Sequence, residues 1–179
     1  MRLQDQLFGQ REHAILAAAR QLFSEQPWDR VTIAEVAIAA AIGKGTVYKH
    51  FPSKEALYAR LVLDRSRADL AELRALHAIS APQQAMRQVI LRAFELMLSS
   101  PIQAQLCLHC DRPEFQERLD ASSRQQFLEL ERDYQRFFAE MLNETLGTHA
   151  LAQADCQNLL WGVEACVNGV MARIASGGF

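Results

Sequence analysis

Two short stretches between Thr32 and Pro52 constrain this chain more than anything else in its sequence. Thr32 is a natural N-cap for a helix running to about Ala40, and Glu35, three residues on, completes a capping box. A second short helix, about Lys44 to His50, is stopped by Pro52. Two short helices joined by a tight connection within about twenty residues form a helix-turn-helix candidate. Val36, Ala37, Ala40, Ile42 and Val47 supply the small and branched apolar side chains that let such helices pack at a steep angle. The second helix instead displays Lys44, Thr46, Tyr48, Lys49 and His50. A helix so polar, basic and aromatic suits a polar, acidic partner. The major groove of DNA admits one helix and offers acceptors to lysines and hydroxyls.

Whole-chain charge argues the other way, since 19 Lys+Arg stand against 21 Asp+Glu for a net of −2. The charge is not spread evenly. Residues 1–80 hold 11 basic and 9 acidic residues, a net of +2, and residues 81–179 hold 8 and 12, a net of −4. The only three lysines are Lys44, Lys49 and Lys54, and no acidic residue falls between Glu35 and Glu55. A short basic segment in a mildly acidic protein is the footprint of a small phosphate-contacting surface.

The remainder reads as helices. Only 8 Gly and 5 Pro occur in 179 residues, with Ala, Leu, Gln, Glu and Arg abundant, which favours helix over a β-sandwich. Arg11 to Glu25 places Ile15, Leu16, Ala19, Leu22 and Phe23 on one face. Ser53 caps a long helix bearing Leu57, Leu61, Leu73 and Leu76. Further helices are expected at Ala85–Leu98, around Gln103–His109 and Glu114–Asp120, at Ser123–Leu146 and at about Ala154–Ala175. No run approaches the roughly 18 apolar residues of a membrane span, and MRLQDQLFGQREH holds no apolar export segment. With four cysteines and no disulfide pattern, a cytoplasmic protein with no membrane partner is expected.

The stretch TIAEVAIAAAIGKGTVYKHFPSKEAL, Thr32 to Leu57, resembles the DNA-binding segment of the TetR family of bacterial transcriptional regulators. The likeness covers about 11–63 when the first helix is included. Family members usually have Gly where this chain has Ala41, and often a capping residue such as Ser where it has Gly43. An Ala driven to positive φ costs about 1 kcal/mol. The resemblance implies an all-α fold: a three-helix helix-turn-helix DNA-binding domain over 1–52 and a helical effector-binding and dimerisation domain over 53–179. It implies that Lys44, Gly45, Thr46 and Lys49 face the groove or its flanking phosphates, that Tyr48 and His50 contact the DNA backbone, and that Lys54 and Thr32 hold phosphates at their helix starts.

One such unit covers little DNA, so a homodimer on double-stranded operator DNA is expected. Gly162, Ala165, Cys166, Gly169, Ala172 and Arg173 lie along one side of the last helix, and Leu159, Leu160, Val163, Val167, Val170 and Ile174 along the other. Apolar character on both sides means burial on both, one inside the subunit and one against a partner. The family pairs its last two helices, here Ser123–Leu146 and Ala154–Ala175. Its effector cavity would be lined here by Phe94, Met97, Leu98, Leu106, Cys107, Cys110, Phe127, Tyr134 and Trp161. A repressor released by a small-molecule effector is the expected function. Two alternatives stay open: the same scaffold as a thiol or metal sensor through Cys107 and Cys110, and a helical interaction protein without a DNA role. No catalytic triad, paired-carboxylate signature, phosphate loop or zinc motif is present, so neither an enzyme nor a cofactor is expected.

Overall fold

The computed structural model describes residues 3–79, 81–98, 101–146 and 153–177. Among the described residues the chain is nine helices and no strand: α1 Leu3–Glu25, α2 Ile33–Ala39, α3 Lys44–His50, α4 Lys54–Ala78, α5 Pro82–Leu98, α6 Pro101–Cys110, α7 Pro113–Gln116, α8 Ala121–Leu146 and α9 Gln153–Ala175. None of them is long and apolar enough to cross a membrane.

Local chemistry sets the boundaries. The Thr32 hydroxyl accepts the Glu35 N–H at 3.2 Å, and the Glu35 carboxylate accepts the Thr32 N–H at 2.7 Å and its hydroxyl at 2.8 Å. This capping box starts α2. Ser53 starts α4 by accepting the Ala56 N–H at 3.0 Å. Asp120, ahead of α8, accepts the Ser123 N–H at 2.9 Å, and these bonds hold its carboxyl below the usual range. α1 begins well before the expected Arg11. Nothing in 3–10 breaks a helix, and Phe8 of this early turn sits 3.8 Å, ring to ring, from His50.

The turn between α2 and α3 is a Schellman motif. The Ile42 N–H donates to the Ala37 carbonyl at 2.9 Å and the Ala41 N–H to the Ile38 carbonyl at 3.0 Å. Ala41 adopts φ 52, the left-handed conformation that favours glycine. The motif closes α2 and lets Ile42 turn back against the core.

Two cores meet along α4. The first joins Ile15, Ala19 and Phe23 of α1 to Val36 and Ala37 of α2, Val47 of α3, and Leu57, Tyr58 and Leu61 of α4. It continues into Cys110 of α6 and Phe115 of α7, so packing runs on past residue 53. The second joins Leu63, Leu70 and Leu73 of α4 to Val89 and Leu96 of α5 and to Leu130, Phe137 and Met141 of α8. With 25 residues, α4 is ~37 Å long at ~1.5 Å per residue and serves both. α9 packs mainly on α6.

Replacing Ala41 by Gly removes the left-handed penalty without disturbing any side-chain contact. Ala41→Gly should raise unfolding free energy by about 0.5–1 kcal/mol after the larger chain entropy of Gly is counted. Urea melts check this, and an unchanged or lower midpoint would show the turn to be unstrained.

Candidate nucleic-acid interface

α3 divides cleanly by angle. At ~100° per residue, Lys44, Gly45, Tyr48 and Lys49 fall on one arc, and all four are exposed. Thr46, Val47 and His50 fall on the other; Val47 is fully buried and Thr46 half-buried. The outer arc carries two of the three lysines, with the Lys44 amine 6.0 Å from the centre of the Tyr48 ring. A Cβ added at Gly45 would meet nothing within 4 Å. That glycine therefore answers no packing demand inside the protein. It leaves a low point in the outer arc, where a partner can approach the helix backbone.

His50, Lys54 and Thr32 are placed differently from the arc. The His50 side chain is 1% exposed, with Nδ1 3.9 Å from the Glu12 carboxylate, which also pairs with Arg60 at 3.2 Å. It packs α3 onto α1 and presents nothing outward. Lys54 is turned towards the α1–α2 connection, where its amine donates to the Trp28 carbonyl and lies 4.1 Å from the Trp28 ring centre. Burial holds this amine below its ordinary value, against the pull of Glu55, Asp29 and Glu35. The Thr32 hydroxyl is engaged in the capping box, and its hydrogen bonds hold Glu35 below the usual carboxylate range. A carboxylate thus already occupies the start of α2. The charged surface reduces to Lys44 and Lys49, with Tyr48 between them.

Behind Lys54 lies an aromatic joint within the first core. Trp28 stands 4.3 Å from Tyr58, 4.8 Å from His109 and 5.7 Å from Phe115, ring centre to ring centre. Burial, then the charges of Arg112 and Lys54, push His109 towards the neutral form. The joint ties α4 to α6 and α7 and to the loop after α1.

A cavity of about 230 Å³ opens beside the middle of α4, with Cys107 and Tyr134 in its wall. Cys110 and Phe127 line an adjoining cleft, together with the same Cys107 and Tyr134. Phe94 is half-buried and does not line the cavity. Trp161 is 58% exposed, on the outside of α9, and so faces away from it. The side chains of Met97, Leu98 and Leu106 lie outside the described ones. Ser66, Asp69 and Phe138, which sequence alone does not single out, also line it. Asp69 carries no signal of its own, because α4 also holds Glu55, Asp64 and Glu72. Burial pushes the Cys110 thiol well up, which opposes the thiolate that redox or metal chemistry needs. Among the described residues no group of three or more His, Cys, Asp or Glu is placed to hold a metal.

Residues 15–61 match the model of the bacterial regulatory proteins of the tetR family. The HTH-type transcriptional regulator UidR of Escherichia coli K12 is 40% identical over 60 residues, which are 34% of this chain and 31% of that protein. EthR of Mycolicibacterium smegmatis, also an HTH-type transcriptional regulator, is 34% identical over 111 residues, 60% of this chain and 51% of its own. The matches thus span between about a third and a half of these curated relatives. Among solved structures, the fold is shared with FadR from Bacillus subtilis, determined in complex with stearoyl-CoA. Its TM-score is 0.62 at 17% identity, over 93% of this chain and 98% of that one.

If Gly45 is not there for packing, Gly45→Ala should stabilise the protein by about 0.5–1 kcal/mol, the usual helix-propensity difference. Thermal or urea unfolding reads this directly. A destabilised variant would mean that the helix backbone there is held by a contact inside the protein.

Proposed function

This chain belongs to the TetR family of bacterial regulatory proteins, and from that premise we propose that it is a DNA-binding transcriptional repressor. In this reading it acts as a homodimer and leaves its operator when a small-molecule effector binds. The observation that carries the reading is the outer arc of α3, where Lys44, Gly45, Tyr48 and Lys49 are exposed together while Val47 anchors the helix from behind. The two lysines reach base-edge acceptors or phosphates, Tyr48 donates its hydroxyl to the backbone, and Gly45 lets the groove approach.

Dimerisation is supported by α8 and α9. Gly162, Ala165, Cys166, Gly169 and Ala172 are all exposed along one side of α9, and Leu128, Leu159 and Trp161 are exposed large apolar residues on the same two helices. On the inner side Ile174 is buried, and Val167 and Val170 are half-buried. Small residues allow close approach of two helices, and the flanking apolar groups supply the area that association needs.

Effector response is supported by the path of α4. Its first turn abuts Trp28, and its middle supplies Ser66, Asp69 and Leu73 to the cavity wall. A ligand that fits better when α4 is tilted favours that tilt by its difference in affinity for the two states.

Fluorescence anisotropy on DNA from upstream of the protein's own gene tests the reading. Removing one lysine that neutralises a phosphate flattens the dependence of log affinity on log salt by about 0.9. Lys44→Ala with Lys49→Ala, four charges in a dimer, should therefore lower affinity at least about tenfold and flatten the slope by about 2–4. Unchanged affinity and slope would remove α3 as the reading element. Gly169→Arg tests the dimer, because Gly169 is exposed and a Cβ added there meets nothing within 4 Å in the protomer. The variant should fold normally but sediment as a monomer; a persistent dimer would place the interface elsewhere.

A further inference from the structure

We propose that the cavity beside α4 binds a small lipophilic cation, an organic ammonium on the order of ten heavy atoms; this rests on the reading of the chain as an effector-responsive regulator. The size follows from the volume. About 230 Å³, set against about 30 Å³ per water in the liquid, falls short of the roughly 300–1,000 Å³ of drug-sized sites.

The charge follows from the wall. Leu73, Leu96, Val167 and Met171 make most of it apolar, and Ser66, Asp69 and Tyr134 are its polar members. Among the described lining residues there is no Lys, Arg or His. The Tyr134 hydroxyl donates its hydrogen to the Ser66 carbonyl at 2.9 Å, so it offers lone pairs to the cavity. Burial and the nearby Asp69 push that phenol upward, keeping it neutral. Among the described residues the Asp69 carboxylate is met by Arg65 Nε, at 2.8 and 3.1 Å. Arg65 lies on the solvent side, where water screens it, and a carboxylate accepts about four hydrogen bonds. A cation inside the cavity meets the same carboxylate out of water, where attraction is stronger.

The aromatic wall favours the same ligand. Tyr134 and Phe138 both line the cavity, their rings stacked at 6.4 Å with 20° between planes. Such faces attract organic ammonium groups, which lose little hydration on entry. A carboxylate or phosphate would instead meet Asp69 and bare acceptors, because the guanidiniums that act on Tyr134, Arg65 and Arg74, are paired with Asp69 and Asp133 and do not line the cavity. The cavity therefore selects against the anionic head of a fatty acid or acyl thioester.

Calorimetric titration of the full-length protein tests this with three probes of one shape: benzyltrimethylammonium, its neutral carbon isostere 2,2-dimethylpropylbenzene, and 3-phenylpropionate. The ammonium should bind at least about tenfold more tightly than either of the others. Asp69→Asn should shrink that preference to within about threefold while leaving the neutral probe bound as before. Phe138→Leu should weaken the ammonium more than the isostere, and it decides the matter if the Asp69 variant does not fold. Equal or tighter binding of the neutral or anionic probe, an undiminished preference in Asp69→Asn, or binding of none of the three overturns the proposal. The measurement uses no DNA. A protein that binds the ammonium but no DNA keeps the site and loses the regulator reading; one that binds DNA but prefers the isostere does the reverse.

Discussion

A helix of seven residues has too few internal hydrogen bonds to hold itself in water, and both α2 and α3 are of that length. Each exists because its apolar arc is pressed into the first core. For α3 the anchors are Val47, fully buried, and His50, wedged against Phe8. Those anchors decide which way every other side chain of the helix points. Lys44, Tyr48 and Lys49 stand outward because the opposite arc is taken. The surface we assign to DNA is thus a by-product of how the short helix is kept.

The same dependence explains what was legible in the sequence. The start of α2, the end of α3 and the cap of α4 rest on Thr32, Glu35, Pro52 and Ser53, which act on neighbours a few residues away. Ala41 was readable too, as a residue standing where left-handed backbone was needed, and its φ of 52 is that conformation. The all-helical class followed from sparse Gly and Pro and from apolar residues at three- and four-residue spacing. In each case cause and effect lie within one turn of chain.

Contacts between distant residues were harder. Lys54 stands at a helix start, where a phosphate is a natural partner, but its amine finds Trp28, 26 positions earlier. Nothing local announces that the loop after α1 will lay an indole there. His50 was half-readable: its angle on α3 puts it with Val47, but its partners are Phe8, in the unforeseen first turns of α1, and Glu12, 38 positions earlier in the chain. Trp161 enters the cavity only through the family resemblance, and with α9 apolar on both sides composition does not say which side meets the protein's own core. The cavity wall shows the same limit, since Asp69 and Phe138 come together only when α4 and α8 pack.

The chain has two tryptophans, and they sit in opposite settings. Trp28 is flanked by Lys54, Tyr58, His109 and Phe115 at the aromatic joint of the first core, and Trp161 faces outward from α9. Their emission is therefore separable: Trp28 is half-buried, partly shielded from dissolved quenchers, and receives energy from Tyr58, whereas Trp161 is open to iodide. A shift in the shielded component reports rearrangement at the joint, and loss of iodide access in the other reports cover on α9. The protein thus carries two built-in optical probes, one at the aromatic joint of its first core and one on its outer helix, with no label added.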